Sequence, residues 1–352
     1  MRRPIAFSLW AALACAVQVC SAEMHPAESP KSLAEGNLGE ALEALTTRIF
    51  ESASPSVVRV EAEDQIGKVV GTGFFADADG TIFTVSSVIG DGTGITVTHG
   101  GRKMPAKLLA QDERTGVALI KIDDPEPKPF LLQGDSTKLK PSSPLMVVGF
   151  PFDHEVTPSF GLVGGIDRKA NGKFFATTHI RANVPVQRGQ GGSPVLDLNG
   201  AVVGILVSGF ESGSGGYVLP IRAAEKIHSD FARFGGVRHG WAGVTLQEVA
   251  APVEGSRMAI DVIDPSGPAA PGFRTGDVVL QVGDIIIREP EDALDASFYL
   301  TAGDPIQVRI ARDGKVMTLP FTPTEHPFDR KPALQALGPG GLMDPISGGN
   351  AP

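Results

Sequence analysis

Between Val57 and Pro220 the apolar residues fall into about a dozen short runs rich in Val, Ile, Thr and Phe, separated almost everywhere by Gly, Asp or Pro. The runs are Val57–Glu61, Lys68–Phe75, Thr81–Val85, Gly94–Thr98, Lys107–Gln111, Val117–Ile122, Leu145–Gly149, Phe160–Gly165, Phe174–Thr178, Pro194–Leu198, Val202–Val207 and Tyr217–Pro220. So many short strands would expose many unpaired edges, and closed barrels remove them. The expected fold class is therefore mainly β. From Ile221 to Phe234 the period changes: Ile221, Ala224, Ile227, Phe231 and Phe234 share one helical face, and Gly235-Gly236 ends it.

A second, smaller unit follows. Strands are expected near Trp241–Glu248, Met258–Ile263, Val278–Val282, Ile306–Ala311 and Val316–Phe321, with a helix over Pro290–Leu300 that carries its Pro in the first turn. Ahead of the barrels, Leu38, Leu42, Leu45 and Ile49 recur at helical spacing.

The amino terminus reads as an export signal: Arg2 and Arg3, an apolar stretch from Ile5 to Val19, then Cys20-Ser21-Ala22 as a cleavage site. A retained membrane anchor is the alternative, although the stretch is shorter than the about 20 residues a spanning helix needs. Both cysteines lie inside this signal, so the mature chain has no thiol chemistry and no disulfide. Losing Arg2 and Arg3 moves the formal charge from −9 to −11, which argues against nucleic acid as a partner. The seven histidines are scattered without metal-ligand spacing, so neither a metal nor another cofactor is expected.

A series of motifs then carries a resemblance. Gly71-Thr72-Gly73-Phe74-Phe75, the strand running through Phe83-Thr84-Val85-Ser86-Ser87-Val88-Ile89, and Asp112-Glu113-Arg114-Thr115-Gly116-Val117-Ala118-Leu119 come in this order. Gly134-Asp135-Ser136-Thr137-Lys138-Leu139, Val148-Gly149-Phe150-Pro151-Phe152, Arg188-Gly189-Gln190-Gly191-Gly192-Ser193-Pro194 and Gly216-Tyr217-Val218-Leu219-Pro220 come next. Together they resemble successive landmarks of HtrA-family serine proteases with a C-terminal PDZ domain. The resemblance implies a chymotrypsin-like double β-barrel followed by a PDZ domain of α+β type, a partly open barrel. It covers about residues 45 to 322, and together with the readings above it divides the chain into a signal peptide (1–22), an N-terminal arm with a short helix (23–55), a protease-like domain (56–234), a PDZ domain (238–323) and a Pro- and Gly-rich tail expected to be disordered (324–352).

Matched without gaps, the family's general-base His falls at Ser87, its orienting Asp at Gly116 and its nucleophilic Ser at Gly191. A serine does not shuttle protons near neutral pH, and glycine offers neither carboxylate nor hydroxyl. Asp112 matches the first Asp of its motif and is expected to cap a turn. Ser193 lies two positions beyond the nucleophile. The backbone amides of Gly189 and Gly191 remain as an oxyanion-hole-like loop or simply as a retained turn. His99, His154 and His179 are candidates for a displaced base, but none has a neighbouring Ser/Asp constellation in sequence.

In the second unit, Gly240-Trp241-Ala242-Gly243-Val244 resembles the carboxylate-binding loop of HtrA PDZ domains. The resemblance implies a groove formed by Trp241, Ala242, Gly243, Val244 and Leu246 opposite Leu294 and Phe298, where an extended peptide adds as a strand. Ala242 stands where the family usually has a larger apolar residue. The combined expectation is an exported pseudoprotease of the periplasm or extracellular space that binds unfolded or C-terminal peptides of client proteins, alone or assembled with itself or with active HtrA-like subunits. An active endopeptidase with a relocated site and a purely structural interaction protein are the alternatives.

Overall fold

The structure, a computed structural model, describes residues 38–63, 67–168, 177–210 and 213–327. The segments expected to be a signal peptide (1–22), the arm up to residue 37 and the tail from residue 328 lie outside them.

Helix α1, Leu38–Ala53, leaves Leu38 and Leu42 exposed and buries Ile49 and Ala53. Six antiparallel strands then close the first barrel: β1 (Val57–Glu63), β2 (Lys68–Phe75), β3 (Thr81–Val85), β4 (Thr96–His99), β5 (Arg102–Gln111) and β6 (Val117–Ile122), paired in the order β1-β2-β3-β6-β5-β4. A second six-stranded barrel contains β7 (Pro144–Gly149), β8 (Thr157–Asp167), β9 (His179–Asn183), β10 (Pro194–Leu196), β11 (Val202–Gly209) and β12 (Gly216–Pro220), in the order β10-β11-β12-β9-β8-β7. Closure leaves neither sheet with a free edge, the outcome that the punctuated sequence requires.

Strand β3 is buried along its whole length, since Thr81 to Val85 is enclosed by β2, β6 and the barrel interior. That tight central place constrains the path by which the chain leaves the strand. The strand forms over Thr81–Val85, where its pattern placed it, and does not run on through the landmark segment to Ile89: the chain turns at Ser86 into a single helical turn, α2 (Ser86–Ile89), and Ser87 emerges exposed. A second departure concerns Phe174–Thr178: residues 174–176 lie outside the described set, and the strand begins at His179. Thr177 and Thr178 are not in the ladder because they bond Asp295 of the second unit, with Thr177 Oγ1 at 2.9 Å and Thr178 N at 2.6 Å from its Oδ1.

After helix α3 (Ile221–Phe234), capped by left-handed Gly235, comes an antiparallel sheet ordered β13-β14-β15-β17-β18: β13 (Val244–Val253), β14 (Ser256–Ile263), β15 (Val278–Val282), β17 (Ile306–Arg312) and β18 (Lys315–Phe321). The two-residue β16 (Ile285–Ile286) pairs β15, and helix α4 (Pro290–Tyr299) covers the sheet. Glu289 and Asp292 form a capping box at the start of α4, exchanging side-chain and backbone bonds. Order extends past residue 323: Trp241 N donates to Thr324 O at 2.6 Å and Thr324 N to Trp241 O at 3.1 Å.

This sheet is docked on the barrels through α3 and α4. Asp230 of α3, buried, accepts Thr301 Oγ1 at 2.9 Å and Lys226 Nζ at 2.6 Å, and Arg233 forms a two-pronged bond with Asp304 at 2.5 and 2.6 Å. Arg168, at the end of β8, pairs with Glu289 and Asp292. Phe298 joins the buried apolar cluster of the barrels.

Candidate functional site

The three positions matched to the family's triad converge at the junction of the barrels. Ser86 N donates to Gly116 O at 2.7 Å, which sets Ser87 beside the turn that leads into β6. Gly191 approaches from the second barrel, where a Cβ on it would lie 3.4 Å from Val85 and 3.6 Å from Val88, the residues flanking Ser86-Ser87. The fold thus brings these three positions together, carrying Ser, Gly and Gly.

The loop around Gly191 is held by Thr72. Its N–H donates to Gly191 O at 2.9 Å, its hydroxyl donates to Gly189 O at 2.7 Å, and the same oxygen accepts Phe150 N at 3.1 Å. Gly189 and Gly192 are left-handed, φ +92° and +86°, and a Cβ on either would lie within 2.2 Å of a backbone oxygen, so only glycine fits. Among the described residues neither the Gly189 nor the Gly191 amide has an acceptor. Next to Gly189 opens a cavity of about 430 Å³ lined by Lys68, Val69, Val70, Phe152, Asp153 and Arg188.

No displaced triad assembles in the described residues. Ser193 is fully buried, its hydroxyl without a partner, and a Cβ on Gly149 would sit 2.1 Å from its oxygen. His99 bonds Pro55 O at 2.9 Å, and His154 is exposed on a loop. His179 is buried between Tyr217 and Asp167, and burial pushes its imidazole down. His228 stacks edge-on against Phe83. His25 lies outside the described residues.

Sequence reasoning missed one His–Asp contact. His239 Nε2 sits 2.7 Å from Asp112 Oδ1, while Asp112 Oδ2 accepts Thr115 N at 3.0 Å and Thr115 Oγ1 at 2.7 Å. Asp112 therefore caps its turn, as its place in the motif implied, and also ties the turn to the entrance of the second unit. Burial pushes the Asp112 carboxyl up, but the bonds from His239 and Thr115 outweigh it and hold the group below its usual 3.8. The other nitrogen of His239 has no partner among the described residues, so this His–Asp pair serves no hydroxyl.

In the second unit a groove of about 560 Å³ opens between β13 and α4. Trp241, Ala242, Gly243, Val244 and Leu246 line one side and Leu294 the other, above Met258, Ile260 and Phe273. Phe298 does not belong to the lining. The groove face of α4 is made by Pro290, Ala293, Leu294 and Ser297; at about 100° per residue Phe298 falls roughly a quarter-turn round the helix. There it packs on His239, ring centroids 5.5 Å apart, and on Tyr299. Strand β13 is the edge of its sheet, the place where an added strand would pair.

Two family models match the chain: a trypsin-like peptidase domain over residues 71–205 and a PDZ domain over residues 241–321. Curated relatives match over most of the chain. A probable periplasmic serine endoprotease, DegP-like, of Pseudomonas fluorescens is 31% identical over 307 residues, 83% of this chain and 64% of the relative. Its counterpart from Chlamydia trachomatis serovar D is 29% identical over 299 residues, 81% of this chain and 60% of the relative. The chain belongs to the HtrA-type family. This HtrA-type chain spans less than two thirds of the length of those relatives. Solved structures agree on the fold: an HtrA-type protease AlgW with tripeptide superposes with TM-score 0.66 at 21% identity, covering 80% of this chain and 97% of that one. The same protease with a decapeptide gives 0.62 at 20% identity.

Proposed function

We propose that this HtrA-type chain is an exported protein of the bacterial envelope that captures unfolded or C-terminal peptide segments of client proteins in its PDZ groove and leaves them uncut. The observation that carries the reading is the set of side chains at the barrel junction. Ser87, Gly116 and Gly191 supply no imidazole, no carboxylate and no hydroxyl at the nucleophile position. Triad losses are strongly non-additive, and in a well-measured protease only about 10³–10⁴ over water survives any of them. The groove, by contrast, keeps its apolar walls and its edge strand. Relatives named as periplasmic support an envelope location, and the peptides bound to the solved AlgW structures support a peptide as the class of ligand.

The test pairs two readouts on the purified chain. Release of fragments from labelled unfolded casein is expected to be absent, while labelled peptides with free C-termini bind saturably in the micromolar range. Inhibitor-sensitive cleavage by the natural chain would overturn the reading in favour of a relocated active site. Absence of peptide binding at high micromolar concentration would favour a structural interaction protein. A Ser87→His, Gly116→Asp, Gly191→Ser variant calibrates the assay. Gly191 has room for a Cβ in an ordinary conformation, whereas Asp at 116 must accept φ +72°, at a cost of about 1 kcal/mol. Assembly with itself or with active HtrA-type subunits through Leu38 and Leu42 is part of the same proposal, and light scattering tests it.

A further inference from the structure

One barrel side chain reaches the PDZ groove. Arg114 belongs to the turn between β5 and β6, yet it lines the groove together with His239, Gly240 and Trp241. The turn is fixed in that place from three sides: Asp112 receives His239 and Thr115, and Gly116 N donates to Asp112 O at 2.9 Å. The Asp112 charge is thereby engaged within the turn and its cap. Arg114 is different. The residue is half-buried, and its side chain makes no ion pair or hydrogen bond among the described residues.

The charges around the groove point one way. Its titratable lining residues are Arg114, His239 and His326, with no Asp or Glu among them, in a chain whose formal charge is −9. A cation held at the rim of an apolar groove, without a counter-charge, is matched by an anionic group on the occupant. His239 immediately precedes the Gly240–Val244 loop, so the cation stands at the loop end, where an added strand would finish.

We propose that Arg114 is a specificity-determining residue that meets the terminal α-carboxylate of a peptide bound in the groove, so that the carboxylate subsite is shared between the barrel and the PDZ domain. The inference rests on the peptide-capture reading above. Gly240 N and Trp241 N are bonded to Leu300 O and Thr324 O, so the backbone amides of Ala242 and Gly243 hold the carboxylate, and Arg114 adds a charge that only a docked PDZ domain receives. Binding of a free C-terminus and docking of the two domains then favour each other, because each is stronger when the other is in place.

Fluorescein-labelled decapeptides ending in Val, Leu or Phe, each as free acid and as C-terminal amide, provide the test by anisotropy at two salt concentrations. The full chain is expected to prefer the free acid. Arg114→Gln should lose about threefold to tenfold affinity for the acid, with a weaker salt dependence, and should bind the amide unchanged; Arg114→Lys should retain most of the preference. Equal loss for acid and amide would mean that Arg114 only packs, and the inference falls. It falls equally if the loss follows a Glu-to-Gln change within the peptide and not the terminus. If no peptide binds the unaltered chain, the peptide-capture reading itself fails, an outcome distinct from binding that ignores Arg114.

Discussion

The barrel junction and the PDZ groove are both built around a glycine-bearing loop, and they have been left with different equipment. At the junction Thr72 braces the Gly189–Gly192 turn with two hydrogen bonds and ties it to Phe150 with a third, but the turn carries Gly191, and the positions that face it carry Ser87 and Gly116. At the groove Gly240–Val244 still leads into an edge strand, and Leu246, Leu294 and Phe273 still wall the cavity. Catalysis needs three particular side chains at once, so a few substitutions abolish it. Binding an extended peptide, the proposed task of the groove, needs backbone shape and apolar surface.

The largest expected effect tests whether the junction loop survives for the sake of folding. Gly192→Ala places a Cβ 2.1 Å from Thr72 O on a left-handed backbone, and should cost about 3 kcal/mol of stability, read by urea denaturation. A near-neutral result would mean that the loop is slack and the two regions less different than they look. Next, Leu246→Lys in the groove wall should weaken binding of peptides with apolar termini about 30-fold with no change in casein assays, since a buried leucine side chain contributes about 2 kcal/mol. Unaltered affinity would move the peptide site out of the groove.

A smaller effect concerns the tie between the regions. The folded-state carboxyl of Asp112 lies below 3.8, so its contribution is complete above that pH and is lost as the pH falls through the lower folded value. Asp112→Asn should flatten this acid limb of the stability curve, by about 1 to 2 kcal/mol. An unchanged limb would show that the His239 contact carries no net stability. The smallest effect is spectroscopic. Tyr299, against Arg222 at 4.2 Å, has its phenol pushed up to about 12 by burial. Phe298→Ala, which loosens the docking of α4 on the barrels, should bring this delayed tyrosine ionisation to lower pH; no change would place the docking energy elsewhere.

Much of the fold was legible because it rests on local periodicity. Lys68–Phe75, Thr81–Val85, Val117–Ile122 and Ile221–Phe234 form over the bounds their patterns indicate. The absence of Thr177 and Thr178 from a strand and the helical turn hidden in Ser86–Ile89 have another origin: in each, backbone or hydroxyl groups bond partners far away in sequence, Asp295 in one case and Gly116 in the other. Local pattern carries no signal for such partners.

By itself the sequence determined the mainly β character, the order of the landmarks and the identity of the residues at the three junction positions, because those depend on residue type and spacing alone. Only the tertiary structure decided that Phe298 turns from the groove to the barrels, that His239 pairs with Asp112 over a separation of 127 residues, and that Arg114 reaches a groove on another domain. The physical reason is the docking of α4 on α3. It fixes which face of each element meets solvent, ligand or neighbour, and no stretch of sequence encodes that contact on its own.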